Sequence, residues 1–236
     1  MEFDILARMT IQIDQFTRSR RRTIAIQVRP DGQVFVRAPL RASEKLIREF
    51  VESKAEWIRR KQAEVLRRVP VTVKHYRVGE RFLFLGREYT LGTVKKQRAA
   101  LTLDGEFSLS EAAQPRAAKA FEQWYKAQAL KVMGERVQLY AAKHGFKPGR
   151  VRISSARTRW GSCSSRGTLS FTWRLVMAPL EVIDYVVIHE LVHLKVKNHS
   201  KTFWGSVAAL MPEYRQHVAW LKKNGALLTL GEVSDQ

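Results

Sequence analysis

The stretch Val186-Val187-Ile188-His189-Glu190-Leu191-Val192-His193, residues 186–193, is the segment on which the reading of the chain turns. Its pattern has helical period, and two histidines four positions apart then project from one helix face about one turn apart. At that spacing both imidazoles can reach one ion. Zinc suits the pair, because it accepts three nitrogen ligands at about 2.0–2.1 Å and keeps a fourth position for water. Glu190, beside the first histidine, lies close to that water and is the expected general base.

The third ligand expected is His199. The intervening segment, Leu194 to Asn198, contains an asparagine suited to leaving a helix through a left-handed residue, which would turn the chain back toward the ion. Ser200 is then a good N-cap for a helix from Lys201, fixing His199 at a helix entrance. Glu213, the only acid between Glu190 and Glu232, is the rival, but an acid after Pro212 is explained by the dipole of a helix starting there. His75, His144 and His217 lack partners at ligand spacing and read as structural or surface residues.

Composition narrows the class. With 45% hydrophobic residues over 236 positions the chain can bury a real core, which excludes a disordered protein. No window reaches the roughly 18 uninterrupted apolar residues of a membrane helix, and the first residues do not resemble a secretory signal, so a cytoplasmic protein without a membrane partner is expected. The single cysteine, Cys163, excludes an internal disulfide framework and reads as a small packed residue. The 42 basic against 22 acidic residues give a net charge of +20, which attracts anionic partners without defining a site for them.

Along the chain, Thr23 to Val28 and Gln33 to Arg37 alternate around Pro30-Asp31-Gly32 like an antiparallel hairpin. One helix is expected from Ser43-Glu44 to about Arg68, ended by Pro70. Short strand-like runs at 81–85, 87–91, 99–103 and 106–109, separated by glycine turns, suggest a small antiparallel sheet. Pro115 opens a long helix to about His144, with Gly145 as its stop. Val151 to Ser155 and Thr168 to Leu175 read as strands joined across the polar segment 157–167, and Pro179 begins a helical final third. The expected division is a β-rich portion with one helix over 1–113 and a metal-binding catalytic domain over 114–236.

Arg157-Thr158-Arg159-Trp160-Gly161-Ser162-Cys163, Ser170-Phe171-Thr172-Trp173, Val182 to Leu194 and Asn198-His199-Ser200 together resemble the YgjP-like metallopeptidase family, and more distantly SprT-type proteases. The resemblance covers about residues 150–222 and extends to the N-terminal hairpin. It implies an α+β fold, a zincin-like metallopeptidase domain with a β-rich N-terminal portion. It also implies one Zn²⁺ per chain on His189, His193 and His199, with Glu190 catalytic, in agreement with the spacing.

Around this centre, Arg157 and Arg159 are candidates for binding an anionic group or developing negative charge, and Tyr214 for donating its hydroxyl to an oxyanion. Trp160 reads as core or cleft wall, and Trp173, Phe203 and Trp204 as packing. The leading expectation is peptide-bond hydrolysis of a polypeptide substrate. The positive charge and the arginine pair also motivate a metal-dependent nucleoside triphosphate pyrophosphohydrolase acting on an anionic small molecule. A third expectation is a nucleic-acid-associated protein whose basic residues 18–22 and 59–68 dock on phosphates, although no nucleic-acid motif accompanies them.

Overall fold

The computed structural model describes residues 11–29, 32–66 and 74–231 and is an α+β structure. Its compact units divide at Pro70 and Val71. The boundary expected near residue 113 falls inside the second of these units. The strands before it and the helix after it share one core, in which Phe82 and Phe107 lie 4.2 and 5.2 Å from Phe121.

In the first unit, β1 (Gln15–Ser19), β2 (Ala25–Val28) and β3 (Val34–Pro39) form a sheet of order β1-β3-β2. β2 and β3 make the expected antiparallel pair, with Val28 opposite Val34; the turn residues Pro30 and Asp31 lie outside the described residues. β1 adds parallel to β3, an edge its half-exposed sequence QFTRS does not announce. Val34, Val36 and Ala38 alternate onto one face and bury against Ile47, Val51 and Ile58 of the helices. The single expected helix is two, α1 (Glu44–Glu52) and α2 (Ala55–Leu66). Ser53 interrupts it, its hydroxyl donating to Phe50 O at 2.7 Å while Lys54 N bonds Val51 O, so the ladder tightens and stops.

The second unit carries two sheets. β4 (Arg81–Phe84), β5 (Arg87–Val94), β6 (Leu101–Asp104) and β7 (Glu106–Ser110) run in order β4-β5-β7-β6. The sheet is mixed rather than antiparallel, because β5 lies parallel to β7, with Leu91 beside Phe107. α3 (Ala117–His144) ends at Gly145, whose φ of 65° is the left-handed stop anticipated. Seven of its nine buried residues, 117, 121, 125, 129, 133, 137 and 141, recur every fourth position, and Ala120 and Val132 flank that stripe. Each step turns the stripe by about 40°, so it winds roughly 240° along the helix and faces different partners at its two ends. The start packs on β4 to β7, and the far part on β8 (Val151–Ser154) and α4 (Leu180–Val192).

The second sheet has order β8-β10-β9, with β10 (Leu169–Thr172) parallel to β8 and antiparallel to the short edge strand β9 (Gly161–Cys163). The strand expected to run to Leu175 stops at Thr172, and Trp173–Met177 form a 3₁₀ turn instead. α4 is buried from Val182 to Ile188, as befits a helix covered on all sides. Its start is fixed by the β4–β5 turn, where Leu85 N and Gly86 N donate to Val176 O and Met177 O. Gly86 has φ of +77°, and a Cβ there would meet Pro179 at 2.9 Å, so two independent constraints demand glycine. α5 (Lys201–Leu210) and α6 (Tyr214–Asn224) complete the unit. Among the described residues, no helix is long and apolar enough to cross a membrane.

Candidate metal centre

Two buried carboxylates sit on α4, and their surroundings separate their roles. Asp184 accepts from Arg136 Nε and Nη2 at 2.6 and 2.7 Å and from the Tyr140 hydroxyl at 3.0 Å, which ties α4 to α3. Glu190 is 4% exposed, and its Oε2 has no hydrogen-bond partner. A buried carboxylate oxygen left unpaired costs free energy, so the first carboxylate is structural and the second is held for something else.

His189, immediately before Glu190, and His193, one turn beyond His189, point toward His199, which the chain brings back before α5. The return differs from expectation. Asn198 does not take a left-handed φ, and α4 already stops at Val192 with His193 as its C-cap. Leu194 N and Lys195 N bond the carbonyls of Leu191 and Val192, so a tight turn reverses the chain without a left-handed residue. Ser200 caps α5 as anticipated, its hydroxyl accepting from Phe203 N.

The Nε2 atoms of His193 and His199 are 3.2 Å apart, and those of His199 and His189 are 3.0 Å apart. Nitrogens bound to one tetrahedral zinc at about 2.0–2.1 Å would be separated by roughly 3.3 Å, so the three residues fit such an ion. The tautomer fits too. His193 Nδ1 faces the carbonyl of Val196 at 3.0 Å, and a carbonyl only accepts, so the proton is on Nδ1 and Nε2 presents a lone pair. Burial, helped by the neighbouring imidazoles, pushes the His189 pKa down to about 3 and holds the ring in its neutral, ligating form. Burial also lowers that of His193. Phe203, fully buried, packs with its ring centroid 4.4–4.8 Å from all three imidazoles and keeps them oriented.

Burial raises the Glu190 pKa to about 7, against the opposing field of Arg159. The carboxylate rests on Gly161, where a Cβ would meet Oε1 at 2.5 Å and Cγ at 2.7 Å. Gly161 is in an ordinary strand conformation, so close approach alone explains it. Trp160 O accepts from Thr172 N and Ser164 N donates to Thr168 O, so the main-chain groups of Gly161 and Cys163 face away from β10 along the sheet edge.

A cleft of about 370 Å³ opens between β9, α4 and α6 beside Glu190 and His189. Trp160 and Arg159 line one side and Val218, Leu221 and Lys222 the other. Of the two arginines expected at the site, Arg159 is there; Arg157 is not among the lining residues and lies in the field of Arg174. Tyr214 stacks on Trp204 at 5.5 Å, and Trp204 lies 5.7 Å from His189, so Tyr214 is one ring removed from the histidines. Trp173 is 2% exposed, and Cys163 is a half-buried thiol whose pKa burial raises, in line with a packing role for both.

Sequence reading missed Gly161, Tyr185 and the α6 wall. Tyr185 precedes His189 by one helical turn, its hydroxyl 3.5 Å from His189 Nδ1, and that spacing was visible. His217 stacks on Tyr185 at 6.3 Å, a proximity only the fold creates.

A fold with its histidine-bearing helix against a short sheet, and three imidazoles converging beside a buried glutamate, is that of the zincin-like metallopeptidase class. The chain belongs to the YgjP-like family, whose metallopeptidase domain model matches residues 22–224. Among solved structures it is similar to the crystal structure of the metallopeptidase zymogen of Pyrococcus abyssi abylysin. The two share 26% sequence identity with a TM-score of 0.36, over 39% of this chain and 93% of that one. No curated protein matches the chain.

Proposed function

We propose that this chain is a zinc-dependent peptidase in which His189, His193 and His199 hold the ion and Glu190 is the general base. The observation that carries the reading is the convergence of three imidazole nitrogens beside an unpaired buried carboxylate. Bound there, zinc supplies a Lewis acid for the peptide carbonyl and a water of lowered pKa. Glu190 accepts the proton of the attacking water and passes it to the departing amine. Gly161 leaves the space in which that carboxylate turns, and the hydroxyl oxygen of Tyr185 accepts from His189 Nδ1–H, which fixes the ring and leaves Nε2 its lone pair for the ion. The main-chain groups of Gly161 and Cys163 offer an extended peptide a strand to pair with.

The nucleotide reading requires an arginine clamp, and only Arg159 of its two arginines lines the cleft. Metal content by mass spectrometry, with cleavage of a denatured protein, tests the proposal. About one zinc per chain, largely lost in His199→Ala together with activity, is expected. Full zinc retention without His199, or pyrophosphate release from a nucleoside triphosphate with no peptide cleaved, would overturn it.

A further inference from the structure

The cleft beside Glu190 has two chemistries, and their arrangement points to a preferred substrate. Its walls are apolar, formed by Trp160, Val186, Val218 and Leu221. Its cationic members are the exposed Arg159 and Lys222, and Glu190 is the only acid among the described residues that line it. Trp160 is locked as a wall. Its Cζ2 would lie 2.7 Å from a Cβ on Gly225, which has helical φ of −58° and so has no backbone reason to be glycine. Glycine at 225 thus gives the Trp160 ring a fixed seat, and a groove with such a wall next to the reacting bond selects side chains.

Resting on the peptidase reading above, we infer that the cleft selects polypeptides with a large apolar side chain flanking the scissile bond and a carboxylate beside it in sequence. The apolar side chain is taken up between Trp160 and Leu221, where burying added hydrocarbon favours larger residues. The neighbouring carboxylate meets Arg159 and Lys222, whose exposure makes their contribution modest and dependent on salt.

The test uses the zinc-loaded full chain and the peptides Ala-Gly-Gly-X-Z-Gly-Gly-Ala, with X as Phe, Leu or Ala, Z as Glu, Gln or Lys, and cleaved bonds read by mass spectrometry. Expected are cleavage at a bond of X with kcat/KM about tenfold or more higher for Phe or Leu than for Ala, and about threefold or more higher for Glu than for Lys. Lys222→Glu, a surface change, should reverse the Glu-to-Lys ratio, and Gly225→Ala, by crowding Trp160, should lower the Phe-to-Ala ratio. Equal rates for Phe and Ala, or a Glu-to-Lys ratio untouched by Lys222→Glu, would overturn the inference while leaving the peptidase reading intact. The same peptides, fluorescently labelled, are titrated into Glu190→Gln by anisotropy. If no peptide is cleaved by the wild type, selective binding of Phe-Glu over Ala-Lys supports the cleft's preference although the peptidase reading fails, and binding without selectivity, or none, removes both.

Discussion

At the residue scale, the proposed mechanism is tested at Glu190 and at Gly161, on which its carboxylate rests. Glu190→Gln should keep about one zinc per chain and lose about 10³-fold or more in kcat/KM, since the proton acceptor is gone and the ligands remain. Gly161→Ala should keep the metal and lose about 10²-fold, because a methyl group at 2.5 Å from Oε1 displaces the carboxylate from the water. The same burial sets a pH signature in chelator-treated protein. The folded pKa of Glu190 is raised to about 7, so the folded state resists an ionisation that the unfolded chain undergoes above 4.5, and stability falls as pH rises between those values. Glu190→Gln should therefore raise the Tm at pH 8, by about 1–3 kcal/mol in stability, and leave it nearly unchanged at pH 4. His189 acts in the opposite sense. Its folded pKa of about 3 lies below the unfolded 6.5, so stability is lost as pH falls through that window, in the variant as in the wild type. Thermal unfolding across pH reads both limbs; a Glu190→Gln Tm at pH 8 equal to or below the wild type would contradict the buried-carboxylate account.

At the element scale, the position of α4 decides whether the histidines meet the cleft. Two contacts hold it, the Arg136–Asp184–Tyr140 network along its length and the β4–β5 turn at its start. Asp184→Ala leaves the Arg136 guanidinium facing a partly buried gap and should cost about 2–4 kcal/mol by denaturant unfolding. Gly86→Ala meets both a strained φ and the Pro179 backbone, and should lower stability by about 1–3 kcal/mol. Elements were unequally legible. The β2–β3 hairpin and α3 were readable because each carries its own period and its own stop, ending in the case of α3 at Gly145. β9 was not, because three residues, Gly-Ser-Cys, hold no alternation and exist as a strand only through pairing with β10. The parallel pairing of β5 with β7 and the helix break at Ser53 were hidden for the same reason: neighbours or local side-chain bonds set them, not hydrophobic period.

At the scale of the whole molecule, the charge of +20 is the dominant global property. Like charges spread over the surface repel in the compact state, so raising sodium chloride from about 20 to 200 mM should raise the Tm of the metal-free protein by screening. A Tm that falls with salt would show that attractive pairs such as Arg81–Glu88 outweigh the repulsion. The sequence alone determined which residues are candidates for the proposed chemistry, because side-chain spacing on a helix is a local property: His189, Glu190, His193 and His199 lie within eleven consecutive positions. It also carried the motifs whose resemblance implies the α+β class, and the periods of several of its helices and strands. Only the tertiary structure decided where the units divide, that Gly161 makes room for Glu190, that Arg159 and not Arg157 lines the cleft, and that α6 forms the opposite wall. Those are contacts between residues far apart in the chain, and no local pattern records a packing partner.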